Sequence, residues 1–169
     1  NQLSGSIPEH IGRMANLWKI DLSFNELGGN IPLSVGNLKS FGILESLLLR
    51  GNNLSGNVPA LLGELTSLKE LDLGNNSLEG DLVHLLGSSA ERSVPTTVVS
   101  KLPQLTLLRL ENNSFDGKFP EFVCSVFLLR ELDLSSNNLM GFIPEVLSNL
   151  NSLTKLGLGG TQFAGSVMK

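Results

Sequence analysis

The spacing of its leucines constrains this chain more than any other feature. Residues 68–82, LKELDLGNNSLEGDL, follow the skeleton LxxLxLxxNxLxG, with Leu68, Leu71, Leu73, Asn76, Leu78 and Gly80 in the marked places. The first leucine of each copy falls at Leu17, Leu44, Leu68, Leu105, Leu129 and Leu153, at successive separations of 27, 24, 37, 24 and 24 residues. The period is therefore 24, lengthened once by 3 residues and once by 13. An incomplete copy opens the chain, because Asn1, Leu3, Gly5, Ile7 and Pro8 stand 24 residues before Asn25, Leu27, Gly29, Ile31 and Pro32. A fixed period in the twenties specifies a one-dimensional array, in which each copy buries its apolar face only against its neighbours.

Within each copy the LxL segment alternates, which predicts a short strand with its leucines on one face and the intervening residues on the other. Strands from successive copies then stack in parallel and their leucines form one column, each contributing roughly 1.5–3 kcal/mol when fully buried. An asparagine column runs beside it: Asn25, Asn52, Asn76, Asn113 and Asn137, with Asn1 at its start. Where the chain turns away from the strand, backbone groups face inward without sheet partners, and buried polar groups need partners. An amide side chain donates and accepts, so these asparagines are expected to be structural. The last copy has Thr161 there, a weaker substitute.

A second unit follows each asparagine: LSGSIP at 3–8, LGGNIP at 27–32, LSGNVP at 54–59, FDGKFP at 115–120 and LMGFIP at 139–144. LxGxIP after LxxLxLxxNx resembles the plant-type leucine-rich repeat of receptor kinase ectodomains, receptor-like proteins and polygalacturonase inhibitors. The resemblance implies a leucine-rich repeat solenoid: a right-handed β/α superhelix with a concave parallel β-sheet, a second set of short strands, and short outer 3-10 or helical turns. The local chemistry agrees. Glycines at the LxGxI positions allow a turn with positive φ, and proline suits the start of an outer helical turn. Leu82-Val83 and Val167-Met168 break the Ile-Pro rule.

Residues 1–169 are read as one domain of about seven repeats, the first and last incomplete or uncapped, with an insertion at about 87–101. The chain starts and stops within a repeat, as expected of a piece of something longer. The three-residue insertion before Leu44 should only widen an outer turn. The longer one, GSSAERSVPTTVVSK, is Ser- and Thr-rich, and a loop of that length in a regular array is either functional or mobile. Net charge is −4 with no basic cluster, which argues against nucleic acid as partner. No apolar run is long enough to span a membrane. The single cysteine, Cys124, excludes an intrachain disulfide and reads as a small buried packing residue. His10 and His84 have no partner pattern and read as surface or packing residues.

Function in this architecture lives on the concave face. Asp21, Asp72 and Asp133 are the residues that plant-type repeats place there generally, whereas the departures are more informative. Trp18, Phe24, Leu48 and Leu107 are apolar where solvent is expected, and Arg50 and Arg109 are basic in an acidic chain. Aromatic residues and arginine are enriched at binding hot spots. The expected ligand-binding surface therefore comprises Trp18, Asp21, Phe24, Leu48, Arg50, Leu107, Arg109 and Glu111, with scattered single surface apolars as the plainer alternative. Three Asn-x-Ser triplets make Asn53, Asn75 and Asn112 glycosylation candidates if the chain follows a secretory route. Asn75 and Asn112 lie in one column and would crowd one edge.

The pattern contains no metal-ligand cluster, nucleophile with a base, or phosphate loop, so neither enzyme activity, nor a cofactor, nor a metal is expected. The expected function is a protein- or peptide-binding module from a plant cell-surface receptor ectodomain, on the extracellular side of the plasma membrane. Its partners would be a protein or peptide ligand and a co-receptor of the same repeat type. The alternatives are a secreted inhibitor of cell-wall-degrading enzymes and an intracellular or structural scaffold.

Overall fold

The computed structural model describes residues 1–82 and 101–165. Val83, His84, most of the 87–101 insertion, and Val167-Met168 lie outside the described residues. One strand per repeat forms the concave sheet: β2 (Lys19–Asp21), β4 (Ser46–Leu48), β6 (Glu70–Asp72), β8 (Leu107–Arg109), β10 (Glu131–Asp133) and β12 (Lys155–Gly157). All neighbours in this sheet run parallel, in the order β12-β10-β8-β6-β4-β2. The second set comprises β1 (Ser4–Ser6), β3 (Glu26–Gly29), β5 (Asn53–Asn57), β7 (Ser77–Asp81) and β9 (Ser114–Asp116) in one sheet, and β11 (Met140–Phe142) with β13 (Gln162–Ala164) in a shorter one. Lys118 bridges the two at Met140.

The register across the concave sheet puts Ile20, Leu47, Leu71, Leu108, Leu132 and Leu156 side by side. This is the column that the 24-residue period specifies. The first five are buried. Leu156 is 45% exposed, because β12 has a described neighbour on one side only. Leu49, Leu73, Leu110 and Leu134 extend the same core from the other side of each outward residue.

The outer turns are 3-10 helices that begin directly after Pro8, Pro32, Pro59, Pro120 and Pro144. Proline's fixed φ and missing N–H fit that place, where the first donors of a helix are unpaired in any case. Four of these turns are five residues long, and that at Leu33–Ser40 is eight. The three-residue insertion therefore lengthens one outer turn, as expected. The Ser67 hydroxyl donates to the Gly42 carbonyl at 2.5 Å and ties that longer turn to the next repeat.

The asparagine column satisfies the backbone as anticipated. Asn76 Nδ2 donates to the carbonyls of Leu73 at 3.0 Å and Gly74 at 3.2 Å in its own repeat, and to Leu49 of the preceding repeat at 3.1 Å. Its Oδ1 accepts from the Leu54 N–H of the preceding repeat at 3.1 Å. Asn52, Asn113 and Asn137 repeat the pattern. Thr161 keeps only a hydroxyl bond to the Leu158 carbonyl at 2.7 Å, as a shorter side chain must. Cys124 is buried; burial, with Glu121 nearby, pushes its thiol pKa up to about 11, which makes it a packing residue.

Candidate functional site

Each concave strand turns its first and third residues outward, and two further outward columns follow in the turn beyond it. The first column reads Lys19, Ser46, Glu70, Leu107, Glu131, Lys155, and the second Asp21, Leu48, Asp72, Arg109, Asp133, Gly157. Two residues further on come Ser23, Arg50, Gly74, Glu111, Ser135 and Gly159. The turn then closes at Phe24, Gly51, Asn75, Asn112, Ser136 and Gly160, all with positive φ. Glycine, asparagine and serine tolerate that left-handed geometry far better than a bulky side chain does. Phe24, at φ 56°, is the exception, and its ring lies over Gly51, where a Cβ would stand 2.9 Å from it.

The expected site residues separate into two groups. At the amino-terminal end, Trp18 and Phe24 are 62% and 64% exposed at the two ends of β2, and Asp21 is exposed between them. Asp21 is partly desolvated, yet bonds from Ser23 and the Lys19 ammonium at 3.4 Å hold its carboxylate below the ordinary pKa. Leu48 and Leu107 are half-buried between flanking side chains rather than fully in solvent.

The second group is a charge network across the middle of the sheet. The Arg50 guanidinium donates to Glu111 Oε1, two turns away, and stands 3.7 Å from Asp72 Oδ1. Arg109 donates to Asp72 Oδ2 at 3.3 Å and grips Glu131 with two bonds of 2.9 Å. Lys155 donates to Glu131 as well. Three cations and three anions thus cancel within one block. The bidentate bond from Arg109 is the main reason why the Glu131 carboxyl lies below its ordinary pKa, and the same bond raises that of Arg109.

Arg50, Arg109 and Glu111, three of the expected site residues, are thus engaged with one another's neighbours in this network. Glu111 is only 6% exposed, and both arginines are already paired. Replacing the arginines would leave Asp72 and Glu111 without a cation and Glu131 with Lys155 alone, so such variants would report on the fold as much as on a contact. Gly74 makes the Arg50–Glu111 pair possible. A Cβ there would lie 2.7 Å from Glu111 Oε2 and 2.8 Å from Arg50 Nη1, so the two side chains meet over a residue with nothing to obstruct them. Asp72, Glu131 and Gly74 were not singled out as site residues. The signal was present, since Arg50, Gly74 and Glu111 occupy one column in successive repeats.

Among the described residues, no group of three or more His, Cys, Asp or Glu side chains is placed to hold a metal ion, and no helix is long and apolar enough to cross a membrane.

Comparison with known proteins matches two leucine-rich repeat family models, one at residues 16–38, 44–65 and 67–89 and the other at residues 103–163. Receptor-like protein 32 of Arabidopsis thaliana is 35% identical over 170 residues, covering 90% of this chain and 19% of its own length. Receptor-like protein 54 of the same plant is 44% identical over 159 residues, covering 94% of this chain and 18% of its own. The chain thus spans about a fifth of the length of these relatives. Among solved structures, the Arabidopsis receptor kinase HAESA, in complex with the peptide hormone IDA and the co-receptor SERK1, superposes with a TM-score of 0.83. It is 33% identical, covering 98% of this chain and 25% of the receptor chain. With matching models, strands in register and an asparagine ladder, the chain belongs to the leucine-rich repeat family in its plant-type form.

Proposed function

We propose that the chain is the ligand-recognition segment of a plant cell-surface receptor-like protein, facing the extracellular side, and that it binds an extended peptide or protein loop along its concave sheet. The observation that carries this reading is the pattern on that sheet. A self-neutralised block of ion pairs occupies the middle, and apolar side chains stand around it: exposed Trp18 and Phe24, half-buried Leu48 and Leu107. A neutral block demands no charge on the ligand, whereas exposed aromatic rings supply contact area at low conformational cost. The reading is of a binding module and not of a catalyst. It is supported by the receptor-like relatives and by a structural neighbour that holds a peptide hormone and a co-receptor. A co-receptor of the same repeat family is the natural second partner.

A random peptide display library panned on the immobilised chain tests this. Peptides enriched on the native chain should bind at least about tenfold more weakly to Leu48→Lys/Leu107→Lys, a loss of roughly 1.4 kcal/mol. Circular dichroism confirms that the variant is folded. Peptides that bind both proteins equally would place the site elsewhere and overturn the reading.

A further inference from the structure

Within the charge block one carboxylate oxygen is left out. Glu131 engages both of its oxygens, Oε1 with Arg109 and Lys155 and Oε2 with Arg109. Asp72 does the same, Oδ1 with the Gly74 N–H and Arg50 and Oδ2 with Arg109. Glu111 differs. Arg50 takes Oε1, whereas Oε2 is buried and has no hydrogen-bond partner among the described residues. It faces Gly74, where a Cβ would lie 2.7 Å from it. A buried carboxylate oxygen left unpaired costs more than an ordinary hydrogen bond gains, so this place calls for a donor. Arg50 brings the complement. Its Nη1 serves Glu111 and Asp72, while its Nε and Nη2 make no hydrogen bond among the described residues, and its side chain is 25% exposed.

The pair therefore ends in unused donors on one side and an unused acceptor on the other. The charges of the block already cancel, so a ligand cation would be opposed by Arg50 and a ligand carboxylate by Glu111. A side-chain carboxamide is neutral and carries an acceptor oxygen and an NH2 donor on the same carbon. A trans peptide unit points its C=O and N–H in opposite directions and cannot span the two. The terminal torsion of a glutamate is soft, so the carboxylate can turn Oε2 toward an arriving donor, and Gly74 leaves the floor beneath it clear. On the reading of the concave sheet as a peptide-binding face, on which this step depends, we infer that the Arg50–Glu111 pair over Gly74 recognises the carboxamide of an asparagine or glutamine in the bound peptide. Arg50 donates to its oxygen, and Glu111 Oε2 accepts from its NH2 group.

The test starts from the peptides that panning enriches on the native chain and that lose affinity on Leu48→Lys/Leu107→Lys. They should share an asparagine or glutamine at one position. Changing it to aspartate or glutamate should weaken binding to the native chain at least about tenfold, because a second carboxylate then faces Glu111. That comparison uses the native protein and cannot fail through misfolding. Glu111→Gln keeps a carbonyl oxygen for Arg50 and puts an NH2 group in place of Oε2. On that variant, checked as folded by circular dichroism, the preference should reverse, the acidic peptide binding more tightly than its parent. A merely structural role for Glu111 would weaken both peptides alike. Enriched peptides without a shared carboxamide, or an unchanged preference on Glu111→Gln, would overturn the inference while leucine-dependent binding still upheld the receptor reading. No enriched peptide at all would overturn both.

Discussion

Gly74→Ala isolates the central ion pair. Gly74 has an ordinary negative φ region open to alanine, so the backbone itself tolerates the change, and a less flexible unfolded chain would favour it by about 0.4–1 kcal/mol. The new Cβ, however, would stand 2.8 Å from both Arg50 Nη1 and Glu111 Cδ, and the two side chains must part. Glu111, whose side chain is 8% exposed, then loses a charge-assisted bond worth about 1.5–3 kcal/mol. The net expectation is a destabilisation of about 1–2 kcal/mol, or a fall in Tm of about 2–8 °C for a chain of this size. Urea unfolding followed by far-ultraviolet circular dichroism measures it. The decisive comparison is the same substitution made in Arg50→Ala/Glu111→Ala, where nothing remains for the Cβ to displace. There Gly74→Ala should stabilise by about 0.4–1 kcal/mol. An equal cost in both backgrounds would show that the glycine is needed for some other reason, and the account of the pair would fail.

Asn76→Ala removes the partners of the Leu54 N–H and of the carbonyls of Leu49, Leu73 and Gly74, and should cost about 2–3 kcal/mol in urea unfolding; a cost near zero would mean that the ladder is dispensable. Phe24→Asn puts a residue suited to φ 56° into that turn and should raise stability by about 1 kcal/mol, read as a higher Tm; no rise would remove the claim of strain at Phe24. Because the Glu131 pKa is depressed in the fold, its contribution is full at neutral pH and is lost as pH falls below the ordinary carboxylate range, through the folded pKa. Urea midpoints should therefore decline on acidification, and less steeply in Glu131→Gln; identical slopes would exclude Glu131 as a source of the decline.

Everything that repeats was legible in the sequence. The leucine column, the asparagine ladder, the prolines that open the outer turns and the lengthened turn at Leu33–Ser40 all follow from the 24-residue register, because each obeys the same local rule in copy after copy. The concave surface was legible as a set of outward positions but not as chemistry. Arg50 meets Glu111 across two strand spacings, and whether it can do so depends on the residue between them having no side chain. Reading each column across repeats, instead of each repeat by itself, would have paired Arg50 with Glu111 and Arg109 with Asp72, whereas Glu131 stands in the neighbouring column and is reached only diagonally. Phe24 shows the opposite case: Gly51, Asn75, Asn112 and Ser136 announce a left-handed turn, and the one residue that disobeys stands out against them.

The direction in which the asparagines reach has a consequence for biosynthesis. Asn52 satisfies Leu22 and Leu27, and Asn137 satisfies Leu110 and Phe115, always an earlier coil from a later one. A coil leaving the ribosome thus keeps a bare carbonyl and a bare amide until the next two dozen residues have been made. At about 5–20 residues per second, compaction during translation trails the growing end by one coil and a few seconds. The last coil to emerge always holds its backbone open to whatever binds next.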